Sequence, residues 1–237
     1  MTEVIDPTGT AEPTLRKPAV VAGVGILLIS VLAGLANFGA VEGLVTGGDA
    51  TKTALDILAA EGLFRLAISA FVLVAVLDAV VAWGLYAFFK PVSRDMSLLA
   101  GWLRLAYAAV FAVAISQLAG ALHLLSNADY LRTFTPDQLR TQALLKITEF
   151  HDIWTVSLVL FGTHLLLVGY LIYRSGFAPK LLGVLVAVAG AGYLVDSFGA
   201  LLFSDYTVSI GAFTFVGEFL LMLWLLIKGR TIPPATG

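Results

Sequence analysis

The sequence contains no cysteine among its 237 residues. It therefore has no disulfide, no thiolate metal site, no thiol nucleophile and no cysteine that could carry a lipid. Charge is also scarce, because only 13% of the residues are Asp, Glu, Lys or Arg, against about 25% in soluble domains. The formal net charge is −2 and no basic stripe is present, so we predict no nucleic-acid partner.

Apolar residues are correspondingly abundant. They make up 59% of the chain, and the mean hydropathy is +0.94, whereas soluble domains carry about 45–50% apolar residues. A water-soluble fold of this size could not hide so much apolar surface. We therefore expect lipid to be the solvent for much of the chain, and membrane lipids to be its partners.

Six apolar runs are long enough to cross a bilayer. They cover residues 19–45, 64–89, 98–125, 153–173, 181–203 and 208–227. Each run should be helical, because an irregular chain cannot cross lipid with its backbone groups unpaired. The sequence thus predicts an all-α integral membrane bundle of about six transmembrane helices. One domain, 18–229, lies between a disordered cytoplasmic tail, 1–17, and a short cytoplasmic tail, 230–237.

The connections between the runs are of two kinds. Loops 90–95 and 174–180 are short, basic and contain proline, whereas 46–62 and 126–149 are longer and partly amphipathic. We expect the longer ones to form short amphipathic helices on the outer surface, one of them capped by Thr135 with Pro136 at its first position. The bias of Lys and Arg places the short loops and both termini in the cytoplasm.

Several sequence stretches resemble a known family. The most distinctive are F-H-D-I-W at 150–154 and Y-R-S-G-F-A-P at 173–179, and L-Y-A-F-F-K-P-V-S-R at 85–94 adds to them. Together they resemble a bacterial membrane family known as domain of unknown function 4386, from about residue 20 to residue 227. The resemblance implies a multi-pass protein of the inner cell membrane. It implies no activity, substrate or catalytic residue.

Ionisable residues within the apolar runs are the candidates for function, because each costs about 2.5–3.5 kcal/mol to insert at the centre of a helix. The pocket candidates near the outer face are Glu42, Arg65, His123, His151, Asp152 and Asp196. A deeper group consists of Asp78, His164 and Glu218. Small residues at helical spacing predict that Glu42, His123 and Asp196 point into the bundle. Arg104 is expected to extend toward the cytoplasmic surface.

One interpretation of the outer group is a metal site. His123, His151, Asp152 and Asp196 offer nitrogen and oxygen ligands of the kind that zinc accepts. A bound zinc ion could activate water against a lipid ester or amide, which would make the protein a metal-dependent intramembrane lipid hydrolase. No H-E-x-x-H and no G-x-S-x-G motif occurs. The sequence therefore does not decide whether the protein is an enzyme.

Three other interpretations remain open. Asp78, Glu218 and His164 could form a proton or cation path for a transporter, and because six helices make a small transporter, a homodimer would then be expected. The outer pocket could instead bind a small molecule or lipid. The polar residues could also simply pair between helices, with Arg65 bonding to Glu61 or Asp152, and His164 to Asp78.

Overall fold

The protein is described by a computed structural model over residues 15–126, 128–208, 210–211 and 215–231. Seven α-helices of ten or more residues are described, and no strand occurs within these ranges. They are α1 Arg16–Ala36, α2 Ala50–Ala59, α3 Glu61–Phe89, α4 Arg94–Leu124, α5 Pro136–Arg174, α6 Lys180–Leu202 and α7 Val216–Ile227. The predicted all-α membrane bundle is confirmed.

Five of the helices are long and apolar enough to cross a membrane, namely α1 (which continues to Leu44), α3, α4, α5 and α6. The described part of α7 is apolar but has only 12 residues. Residues 209 and 212–214 of the predicted sixth run lie outside the described residues, as do 1–14 and 232–237 of the two predicted tails. Five of the six predicted spans are thus confirmed as membrane-length helices.

Helix α5 departs from the prediction in its length. It begins where expected, with Thr135 and Gln138 forming a reciprocal capping box and Pro136 at the first position. It then runs unbroken for 39 residues to Arg174, about 58 Å at 1.5 Å per residue. The expected separate surface helix before residue 149 is therefore wrong. No glycine or proline lies between 137 and 161 to interrupt the helix, so it extends beyond the bilayer.

The six long or apolar helices close into a ring. Each packs on two neighbours in the order α1, α3, α4, α5, α6, α7 and back to α1, and α2 packs on α5. Loops 90–93 and 175–179 lie at one end of this ring, which we call the basic end. The end that holds α2 is called the opposite end. Because the ring is closed, residues on the inner faces of different helices converge at its centre.

Glycines bring α5 and α6 into backbone contact. Gly162 faces Gly190. Gly169, seven residues later on α5, faces Gly183, which is seven residues earlier on the antiparallel helix α6. A Cβ atom added at Gly169 would lie 2.6 Å from the Gly183 carbonyl oxygen and 2.8 Å from the Ala187 nitrogen. Only glycine allows so close an approach of two membrane helices, so this seam fixes the position of His164 relative to α6.

Candidate functional site

Three ionisable side chains from consecutive helices of the ring meet inside the bundle. Asp78 on α3, Arg104 on α4 and His164 on α5 are exposed to only 1%, 3% and 0%. Each lies 10 or 11 residues from the basic end of its helix, which is about 15–17 Å at 1.5 Å per residue. They therefore lie close to the middle of a hydrocarbon layer about 30 Å thick.

Arg104 bridges the other two. Its Nε lies 2.9 Å from Asp78 Oδ1, and its Nη2 lies 2.6 Å from the same oxygen. Its Nη1 lies 3.3 Å from His164 Nε2, and its guanidinium carbon lies 5.2 Å from the centre of the Phe161 ring. The second carboxylate oxygen of Asp78, Oδ2, is buried and has no hydrogen-bond partner among the described residues.

The partners of His164 determine which of its nitrogens carries a proton. Nδ1 lies 2.8 Å from the Ala100 carbonyl oxygen, which can only accept, so Nδ1 must donate. Nε2 faces the Arg104 guanidinium, which can only donate, so Nε2 must accept. His164 is therefore a neutral imidazole in a fixed orientation, and it ties α4 to α5.

A second acid lies beside this group. Glu218 on α7 is partly buried and lies within electrostatic range of Tyr193 on α6 and of both Arg104 and Asp78. The Tyr193 ring packs against Phe161, with ring centroids 5.5 Å apart. Helices α3 to α7 thus each supply at least one polar side chain. We call these five, Asp78, Arg104, His164, Tyr193 and Glu218, the buried centre.

Two layers of aromatic rings enclose the buried centre. Toward the opposite end, Phe71, Phe111, Phe150 and Trp154 pack together, with Phe71 and Phe111 5.7 Å apart between centroids. Phe71 and Phe111 each lie seven residues along their helices from Asp78 and Arg104. Toward the basic end, Phe88 packs on Phe177 and Trp224. Apolar rings therefore lie between the fully buried members of the centre, Asp78, Arg104 and His164, and each end of the bundle.

The match to a family model covers the whole ring. The model described as domain of unknown function (DUF4386) matches residues 21–229, which include all five residues of the buried centre. The chain belongs to the DUF4386 family. The family resemblance predicted from the sequence is thereby confirmed.

Relatives of this DUF4386 chain extend beyond bacteria. An uncharacterized protein of the archaeon Archaeoglobus fulgidus is 38% identical over 163 residues, which cover 68% of this chain and 82% of that protein. The expectation of a bacterial family was therefore too narrow. No solved structure matches the chain.

The three deep residues predicted from the sequence, Asp78, His164 and Glu218, are those that the DUF4386 chain brings together. The prediction for Arg104 was wrong, because its side chain turns into the bundle instead of extending to the surface. A guanidinium that binds a carboxylate across two helices loses less free energy than one that must reach water from this depth. The sequence feature that could have predicted the position of the Arg104 side chain is Asp78, an acid in mid-membrane that requires a cation as its partner.

The residues of the predicted outer group do not form one pocket. Arg65 pairs with Glu61 at 2.7 Å on the exposed surface of α3, as one of the predicted pairings stated. Asp152 is also exposed. His151 is partly buried and lies within electrostatic range of Glu42. The outer group is therefore dispersed over several helix surfaces.

The expectation that Glu42 and His123 point inward is wrong, because both are exposed. Glu42 follows a π-helical turn, Asn37–Val41. Its carboxylate accepts a hydrogen bond of 2.7 Å from the side-chain nitrogen Nδ2 of Asn37. The extra residue of a π-turn rotates everything that follows it. The inward direction of Glu42 was predicted from the small residue Gly34. A Cβ atom added at Gly34 would have no atom within 4 Å, so that face of α1 is open.

The predicted metal ligands remain apart. Among the residues that the structure describes, no group of three or more His, Cys, Asp or Glu side chains is placed to hold a metal ion. The set His123, His151, Asp152 and Asp196 is included in that finding. The hydrolase alternative therefore stays a prediction from the sequence, to which the geometry of the described residues adds no support.

Asp196 has a different use, because it holds the segment between α6 and α7. Its Oδ1 accepts hydrogen bonds from the Tyr206 hydroxyl at 2.7 Å and the Ile210 backbone nitrogen at 2.9 Å. Its Oδ2 accepts one from the Gly211 backbone nitrogen at 2.6 Å. The bond to the carboxylate raises the pKa of the Tyr206 hydroxyl, which therefore stays protonated and donates. This contact positions the chain that leads to Glu218.

Replacing Asp196 with asparagine tests this contact. The amide oxygen can keep Tyr206 and Ile210, but the amide nitrogen cannot accept from Gly211. We expect the free energy of unfolding to fall by about 1–3 kcal/mol, the cost of an unsatisfied donor. Thermal unfolding in detergent measures it. The matched control is Asp205→Asn, in the same loop but exposed; equal stability of the two variants would contradict the assigned role.

Proposed function

We propose that the protein is a proton-coupled membrane transporter whose buried centre takes up and releases the coupling proton. The observation that carries the proposal is the unpartnered Oδ2 of Asp78. One oxygen of this carboxylate is held by Arg104, and the other is buried and receives no hydrogen bond from the part of the chain that the structure describes. A buried carboxylate oxygen without a donor is costly, and a proton is the smallest group that can satisfy it.

Charge neutrality supports a bound proton. The buried centre holds one permanent cation, Arg104, and two acids, Asp78 and Glu218. If both acids were ionised, the centre would carry a net negative charge in hydrocarbon, where an uncompensated charge costs several kcal/mol. If one acid holds a proton, the centre is neutral. We therefore assign one proton to the pair formed by Asp78 and Glu218.

The same geometry provides two states. With the proton on Glu218, Arg104 binds ionised Asp78, as the distances of 2.6 and 2.9 Å indicate. With the proton on Asp78, the ion pair weakens and Glu218 becomes the stronger partner for the guanidinium. Movement of the proton is then coupled to movement of Arg104 between α3 and α7. A two-state element biased by a bound ion is what a conformational switch requires.

The aromatic layers support transport rather than a channel. A transporter must close its central site to both sides at once during the cycle, and sites of this kind lie near the bilayer midplane. The rings around Phe71 and around Phe88 enclose the centre in this way. His164 is assigned a positioning role, because its Nδ1 proton is held by the Ala100 carbonyl.

Single-cysteine labelling tests the proposal, and the cysteine-free chain is suited to it. Val74 and Leu85 lie on the buried face of α3, on either side of Asp78. We expect the ratio of the labelling rates of Val74→Cys and Leu85→Cys with a small water-soluble thiol reagent to change at least fivefold between pH 8 and pH 5.5. The ratio is used because the reactive thiolate fraction of any cysteine falls with pH. Protonation should open the centre to one surface while it stays closed to the other.

The control for this labelling is a substitution at Asp78 itself. Asp78→Asn imitates the protonated acid, so the ratio of the two labelling rates should then be the same at every pH. Asp205→Asn, far from the centre in the loop after α6, should leave the pH dependence of the ratio intact. A ratio that is independent of pH in the unaltered background would contradict the transporter proposal.

A further inference from the structure

A cavity of about 340 Å³ lies at the opposite end of the bundle, away from the buried centre. We propose that it binds an anionic amphiphile with a single acyl chain, such as a fatty acid, whose headgroup is held by Arg140 and Arg132. The cavity is formed where α2, the end of α4 and the first turns of α5 meet. It is independent of the proposed proton chemistry.

The cavity is lined mainly by apolar side chains, with polar atoms between them. Nine of its eleven lining residues carry apolar side chains, among them Ala54 and Leu58 from α2, Leu124 and Leu125 at the end of α4, and Leu139 on α5. These side chains can cover the hydrocarbon of a ligand, while the polar atoms contact its headgroup or water. Its volume is at the small end of the range of about 300–1,000 Å³ for ligand pockets. It therefore suits one acyl chain rather than a lipid with two.

The other two lining residues are arginines. Arg140 pairs with Asp137 at 3.1 Å, and its side chain is 32% exposed whereas that of Asp137 is 86% exposed. The guanidinium thus faces the cavity while its carboxylate partner faces solvent. Arg132 also lines the cavity, but its side chain is 80% exposed and pairs with Asp129, which is 86% exposed. Exposed ion pairs are weak, so a ligand carboxylate can compete for both cations.

The position of the cavity fits a ligand that comes from the bilayer. It lies at the end of the membrane-crossing part of α4, beside the segment of α5 that extends past the hydrocarbon. The large apolar side chains of Leu58 and Phe134 are about half exposed beside it. An amphiphile lying at the membrane interface would present its chain to the apolar walls and its headgroup to the arginines.

Binding of cis-parinaric acid, a fluorescent fatty acid, tests the proposal. The full-length protein would be titrated in nanodiscs of neutral phosphatidylcholine, with protein-free nanodiscs as the reference. We expect a saturable fluorescence increase that unlabelled oleic acid displaces. Arg140→Gln should weaken binding of the acid at least tenfold but leave binding of the uncharged parinaryl alcohol unchanged, because only the acid needs the cation.

Matched variants make the test decisive. Arg65→Gln removes an arginine from an exposed pair outside the cavity, and it should leave binding of the acid intact. Leu58→Trp narrows the mouth of the cavity at an exposed position, and Ala54→Leu fills its interior. Both variants should weaken binding of the acid and binding of the alcohol to the same degree. No saturable signal above empty nanodiscs, equal effects of Arg140→Gln and Arg65→Gln, or displacement by anionic two-chain phospholipid alone would each overturn the proposal.

Discussion

Substitution of Arg104 by leucine is expected to lower the free energy of unfolding by about 3–5 kcal/mol, which is the usual cost of removing one partner of a buried ion pair. The loss arises because Asp78, which is 1% exposed, would be left in hydrocarbon without the cation that pairs with it, and would have to stay charged or take up a proton, each at a cost in free energy. His164 would lose its partner at Nε2 as well. Unfolding of the purified protein by denaturing detergent measures the change.

A second substitution separates the ion pair from the packing of the arginine stem. In Asp78→Leu/Arg104→Leu the uncompensated charge is gone, so most of the lost stability should return, since buried ion pairs are often replaceable by apolar residues. Arg65→Leu, which removes an arginine from an exposed pair, should change stability by about 0.5 kcal/mol or less. If Arg104→Leu were as stable as Arg65→Leu, the two charges could not be paired as described.

The second large effect is expected at the seam between α5 and α6. Gly169→Ala would place a Cβ atom 2.6 Å from a backbone oxygen and 2.8 Å from a backbone nitrogen of α6, and neither atom can move without the helix. We expect the free energy of unfolding to fall by about 1–3 kcal/mol, the usual cost of overpacking. The same unfolding assay in detergent measures it.

Gly34→Ala is the control for this seam. It makes the same chemical change on α1, at a position with no atom within 4 Å of the new Cβ. Alanine is the better helix former by about 1 kcal/mol, so stability should hold or rise slightly. Equal losses at positions 34 and 169 would show that helix propensity, and not contact between α5 and α6, sets the cost.

The membrane helices could be predicted because bilayer thickness imposes the length of each apolar run. The predicted run 64–89 became Glu61–Phe89, and 181–203 became Lys180–Leu202. The length of α5 could not be predicted in the same way. Hydropathy falls before residue 150, but polar residues such as Gln138 and Lys146 continue a helix as well as apolar ones do.

Side-chain partners were harder to predict than helices. Asp78, His164 and Glu218 were found because an acid or imidazole in mid-membrane is costly wherever it lies. Arg104 was misplaced because the rule for long cations considers one helix at a time, while its partner Asp78 comes from another helix, 26 residues away. The direction of Glu42 was lost at the π-turn, since small-residue spacing assumes a regular helix.

The pairing of Asp78 with Arg104 also bears on biogenesis. The two charges lie on consecutive helices joined by the short connection 90–93, so they can leave the insertion machinery as one hairpin whose opposite charges already cancel. Each charge inserted singly would cost about 2.5–3.5 kcal/mol. Glu218 emerges only with the last membrane helix, which must then fit between α1 and α6. A nascent chain that stops before residue 218 would carry its cation and first acid, but it could not close the ring.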